Sequence, residues 1–115
     1  MADIVLDPAV FAELRAATGG EFAAELVTTF LEEAPGMLAD LRSAHAKADA
    51  DSFRRAAHSL KSNASTFGAV TLAGLARTLE LNGPAAEPAR ALTSLDVLDA
   101  EYKRAAAALK DVAHG

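Results

Sequence analysis

The chain of 115 residues has no cysteine, no tryptophan, one tyrosine and five phenylalanines. Without cysteine, disulfide staples and thiolate chemistry are both excluded, and a reducing compartment is permitted though not required. Aromatics make up only 5% beside 51% hydrophobic residues. Strands draw on β-branched and aromatic side chains, so this balance favours tightly packed helices over a sheet. No useful length of chain alternates with period two, which removes the other signal for strands. Positive charge is in the minority: 11 Lys and Arg stand against 16 Asp and Glu, for a net charge of -5. A nucleic-acid partner would want a basic face and is not expected. Nowhere do about 18 apolar residues run uninterrupted, so no membrane span is expected. The opening "MADIVLDPAV" has an early Asp and no basic region and does not read as a signal peptide. The expectation is one domain over residues 1–115, cytoplasmic and monomeric, with protein or small-molecule partners.

Ligand motifs are lacking too. There is no G-x-x-x-x-G-K-[ST] and no kinase-type glycine loop, so ATP binding is not expected, and Gly19-Gly20 reads as a turn. A di-metal site in a helical bundle needs Glu-x-x-His pairs. The residues three before His45, His58 and His114 are Arg42, Arg55 and Asp111, so neither a metal nor a cofactor is expected in this chain. His45 and His114 are read as solvated.

What the sequence does contain is helical stripes. Asp7-Pro8 reads as an N-cap acceptor followed by proline in the first turn, where a missing N–H costs nothing. The short helix it opens carries Val10, Phe11 and Leu14 and stops at Gly19-Gly20. Ala23, Leu26, Phe30, Ala34, Met37, Leu41, Ala44 and Ala48 then recur three or four apart, the mark of one long amphipathic helix. Pro35 lies inside it and is expected to bend or split it. Asp49-Ala50-Asp51 supplies a turn and a new N-cap, and Phe53, Ala57, Leu60, Ala64 and Phe67 form the next stripe, with Gly68 at its end. Leu72, Leu75, Ala76 and Leu79 follow, stopped by Asn82-Gly83-Pro84. A last helix runs from about Pro88 through Leu95, Leu98, Tyr102, Ala105, Leu109 and Val112. The expected fold is all-α: an antiparallel up-and-down four-helix bundle with a short N-terminal capping helix.

At roughly 100° per residue, the stripe from Phe53 to Phe67 stays within about 40° of one direction, while His58 points about 140° away. Arg54, Lys61 and Ser65 lie at about 80° to 120° from the stripe. His58 is therefore not a core histidine. It stands on an exposed face with a cation one turn away on either side and the small residues Ser62 and Ser65 beside it. Imidazole is a good nucleophile near neutral pH, and nearby cations would stabilise a dianionic group attached to it. The same residues also suit an ordinary solvated face, and geometry alone leaves both readings open.

The segment "AAHSLKSNASTFGA" resembles the motif of histidine phosphotransfer (HPt) domains, His-x-Leu-Lys-Gly-Ser-small-x-x-apolar-Gly-Ala. The preceding "FLEEAPGMLADLRSAHAKADADSFRRAAH" and the following "LAGLARTLE" are also similar to that family, so the likeness runs from about Phe22 to Glu80. Two positions depart: Ser62 stands where the family usually has Gly, and Asn63 where it usually has Ser. Both are small and polar and keep close docking feasible, while the Ser62 hydroxyl bears on orientation or partner choice.

The resemblance implies that His58 accepts a phosphoryl group and that Lys61 neutralises it. Gly68 would keep a helix junction close-packed, and Glu80 would reach the other ring nitrogen of the histidine. Ser62, Ser65 and Gly68 would belong to the docking face and its packing, with Phe22 to Leu31 of the preceding helix as the other half of the patch. The implied function is a phosphorelay intermediate: a carrier rather than a kinase, taking the group from a receiver-domain phosphoaspartate and passing it reversibly to another receiver. Response-regulator receiver domains would be its partners, with a hybrid histidine kinase as a further one, and any Mg²⁺ would sit in the receiver. Two alternatives stay open at this level: an adaptor of the same fold that docks receivers without transfer, and an HPt segment of a larger sensor kinase. The initiating Met and the five-helix pattern favour a free-standing protein.

Overall fold

The computed structural model describes residues 5–83 and 88–114, the side chains of residues 88–93 and 114 excepted. These residues form five helices and no strand: α1 (Pro8–Thr18), α2 (Gly20–Ala46), α3 (Ala50–Thr66), α4 (Val70–Asn82) and α5 (Pro88–His114). The boundaries follow from local chemistry. Asp7 caps α1 by accepting the Ala9 N–H at 3.0 Å, with Pro8 in the first turn. Asp49 caps α3 twice over, accepting from the Ser52 N–H at 3.1 Å and the Ser52 hydroxyl at 2.7 Å. These contacts hold the Asp49 carboxyl below its ordinary range. α4 ends on Gly83; Pro84 of the expected breaker lies outside the described residues, as does the side chain of His114.

α2 packs against α3 and α5, α4 packs against the same two helices, and α1 lies on α2 and α3. The α3 stripe is buried as its spacing predicts: Phe53, Ala57, Leu60 and Ala64 are inaccessible and Phe67 nearly so. Residues the size of Phe53 and Leu60 contribute about 1.5–3 kcal/mol each through such burial. An aromatic group ties the helices together, with the Phe30 ring of α2 tilted by 33° against Phe67 at 5.4 Å and edge-on to Tyr102 of α5 at 6.1 Å. Arg42 of α2 bonds Asp96 at 2.7 Å and also Asp99, both on α5. The Arg15 side chain donates to the Val112 carbonyl, one of the acceptors a helix C-terminus leaves unpaired. No helix among the described residues is long and apolar enough to cross a membrane.

Several expectations are corrected. Pro35 does not split α2, which runs unbroken over its 27 residues. Proline removes the donor that would reach the carbonyl of residue i−4, here Leu31, and the Tyr102 hydroxyl donates to that oxygen across a long 3.5 Å. Ala48 is not part of the α2 stripe; it lies beyond the helix end, exposed, with φ 53. The stripe passes through Val27, which is buried, rather than Leu26, which is half-buried. On α5, Glu101 is fully buried between Leu98 and Ala105, while Tyr102 is only half-buried. One oxygen of Glu101 accepts from Arg104, and the other has no hydrogen-bond partner among the described residues. His45 is not solvated either: it is half-buried, and its Nδ1 is buried without a partner among the described residues.

Candidate functional site

The buried stripe of α3 fixes which side of that helix is left over. With Ala57 and Leu60 facing inward, His58 is turned outward and its side chain is 59% exposed. Lys61, one turn on, lies at the margin of the packed face and is 29% exposed. Glu80 arrives from α4. Its neighbours Ala76 and Leu79 are buried, and this packing sets the last turn of α4 beside the middle of α3.

The three side chains form one connected group. Glu80 Oε2 lies 2.7 Å from His58 Nδ1, and Glu80 Oε1 accepts from Lys61 Nζ at 2.6 Å. The Lys61 contact is the main cause that holds the Glu80 carboxyl below its ordinary range; partial burial opposes it and the His58 contact adds to it. Glu80 is thus a carboxylate at neutral pH and can only accept. In the neutral ring Nδ1 must then be the nitrogen that carries the proton, which leaves Nε2 with a free lone pair. The arrangement is a fixed-tautomer imidazole whose unprotonated nitrogen is open to an approaching electrophile.

The surroundings are small and polar. Ser59, Ser62 and Ser65 are exposed, while Asn63 turns back to donate to the Ser59 carbonyl at 2.8 Å and Thr66 to the Ser62 carbonyl at 3.0 Å. Phe22, near the start of α2, is 51% exposed. A groove between the end of α2 and the start of α3, lined by Met37, Lys47, Asp49, Arg55 and Ser59 among others, includes none of His58, Lys61 and Glu80.

Gly68 belongs elsewhere. It is buried with φ +79, and a Cβ placed on it would come within 2.8 Å of both the Asp7 carbonyl and the Val10 side chain. Its own carbonyl accepts the Asp7 N–H at 2.7 Å. It is packed against the start of α1 and offers no surface of its own. The pairing of Lys61 with Glu80 was not foreseen. Its only signal in the sequence was opposite charge on adjacent helices, which does not specify contact.

The family model described as Hpt domain matches residues 25–113, extending the likeness through α5. The crystal structure of histidine-containing phosphotransfer protein B (HptB) from Pseudomonas aeruginosa PAO1 superimposes with a TM-score of 0.87 at 29% identity, covering 98% of this chain and 97% of that one. No curated protein matches the sequence. The family match covers well over half of the chain, and the chain belongs to the Hpt domain family.

Proposed function

We propose that the protein is a phosphorelay carrier that accepts a phosphoryl group on Nε2 of His58 from the phosphoaspartate of a receiver domain and passes it on reversibly. The observation that carries this reading is the 2.7 Å contact between His58 Nδ1 and Glu80 on an exposed helix face. It fixes the nucleophile's tautomer while leaving the nucleophile accessible. The α2–α5 helices are read as an antiparallel bundle capped by α1, a rigid base for that face.

A receiver docks over His58, and the Nε2 lone pair attacks phosphorus in line. The phosphorus–oxygen bond to the receiver aspartate breaks and its electron pair leaves on the carboxylate. The transition state is loose, so its energetics are dominated by charge stabilisation and positioning. No proton moves at Nδ1. The ring gains positive charge, which the Glu80 carboxylate stabilises, as a carboxylate does for the imidazolium of a hydrolase triad. Lys61 supplies positive charge for the phosphoryl oxygens, and the receiver's own acidic pocket supplies Mg²⁺. Because bond making and breaking are symmetric in kind, a second receiver can take the group back onto an aspartate.

The test is to mix the protein with a panel of phosphorylated receiver domains and follow the label. Transfer from at least one, giving an acid-labile and base-stable label as a phosphoramidate should be, is expected. A chain that takes label from none of them, or one whose label survives acid, overturns the reading.

A further inference from the structure

Glu80 makes contacts beyond what orienting a histidine requires. One carboxylate takes two donors, His58 through Oε2 and Lys61 through Oε1. The ammonium credited with neutralising the phosphoryl group is therefore committed, before phosphorylation, to a carboxylate on the neighbouring helix. The two nitrogens of an imidazole point in diverging directions, so a group bonded at Nδ1 is not where a substituent on Nε2 will sit.

We propose that Glu80 holds Lys61 in reserve and releases it to the phosphoryl group once His58 carries one, so that competition between the two anions for Lys61 sets the phosphohistidine lifetime. This rests on the phosphotransfer reading above. The charges favour the exchange. Before transfer, the carboxylate faces the Lys61 ammonium and a neutral ring. When the Nε2–phosphorus bond forms at the expense of the phosphorus–oxygen bond, Nδ1 keeps its proton and the ring becomes cationic. Glu80 then retains a positive partner in the ring and can yield the ammonium to a group of greater negative charge. The four-carbon stem of lysine allows the head to swing while the stem stays packed. Loss of the group to water breaks the nitrogen–phosphorus bond and returns the pair to Nε2, and an ammonium drawn back toward Glu80 leaves the phosphoryl group less protected against it.

Glu80→Gln separates the two duties of the residue. The amide oxygen still accepts from Nδ1, but a neutral amide has no ionic hold on Lys61. The protein is phosphorylated with the small-molecule donor phosphoramidate, which removes any dependence on the choice of receiver, and decay of the label is timed in four forms: wild type, Glu80→Gln, Lys61→Ala and the double variant. Glu80→Gln should lengthen the phosphohistidine lifetime roughly threefold to fivefold, the upper end of the scale for ion pairs in contact with water. The same change in the Lys61→Ala background should lengthen it clearly less, because the cycle removes the competed group. In the wild type, the Lys61 Nζ nitrogen resonance should move on phosphorylation. Equal lengthening in both backgrounds, an unchanged lifetime, or an Nζ resonance that stays in place overturns the proposal while leaving the carrier reading intact. A wild-type protein that takes no phosphoryl group on His58 from phosphoramidate or from any receiver overturns both.

Discussion

One helix carries two regions built on opposite terms. Along the outer face of α3, exposed His58 and half-buried Lys61 are held by charged contacts with the half-buried Glu80 that meets them. Such contacts stabilise a fold little. At the C-terminal corner of α3, the order is reversed. Ala64, Phe67, Gly68 and Ala69 are buried, and the corner closes with backbone bonds alone: the Ala69 N–H to the Ala64 carbonyl at 2.9 Å and the Gly68 N–H to the Ser65 carbonyl at 3.1 Å. That pair of bonds around a left-handed residue is a Schellman motif. On the reading proposed above, the face should tolerate change without loss of fold, and the corner should fail without change at His58. The proposed chemistry and the packing of the corner would then lie on separate stretches of the same element.

Three substitutions test that separation. The largest effect is expected of His58→Ala, which should abolish phosphoryl acceptance while leaving helicity and melting nearly unchanged, because the side chain lies off the core. A variant that still takes up label, or one that unfolds, would break the comparison on the side of the face. Gly68→Ala should do the reverse. The added Cβ meets the Asp7 carbonyl and Val10 at a residue with φ +79, so stability should fall by about 2–4 kcal/mol in a denaturant titration. The folded fraction should still accept label at the wild-type rate. The smallest effect sharpens the contrast between corners. The α2–α3 corner repeats the same motif, with the Asp49 N–H on the Ala44 carbonyl at 2.9 Å and the Ala48 N–H on the His45 carbonyl at 3.1 Å. There the left-handed residue is an exposed alanine rather than a buried glycine. Ala48→Gly should raise stability by about 0.5–1 kcal/mol with no effect on transfer, since it relieves backbone strain in open space. A drop in melting temperature would count against that account.

The fold was largely legible because helices announce themselves by period. Phe53, Ala57, Leu60, Ala64 and Phe67 recur at a spacing that only a helix places on one side, and all five are buried. Asp7, Asp49, Gly68 and Gly83 marked ends by chemistry that acts within one turn. Relations between helices were not legible. Pro35 is a breaker by local rules, and nothing in its own helix says that a hydroxyl on α5 will reach the carbonyl it orphans. Glu101 fits the stripe by position, but its charge argued for solvent, and position prevailed. The site divides in the same way. His58 and Lys61 share one helix and could be placed by angle, whereas the resemblance alone pointed Glu80 toward His58, and its grip on Lys61 emerges only when α3 and α4 are set side by side.

The contact between Tyr102 and Leu31 also gives the molecule a natural optical label. Tyr102 is the sole tyrosine in a chain without tryptophan, so the phenol absorbance and emission come from a single place. That place is the seam between α2 and α5, opposite the gap left by Pro35, where burial raises the phenol's pKa and keeps it a donor. Intrinsic fluorescence therefore reads the parting of these two helices with no dye and no engineered residue.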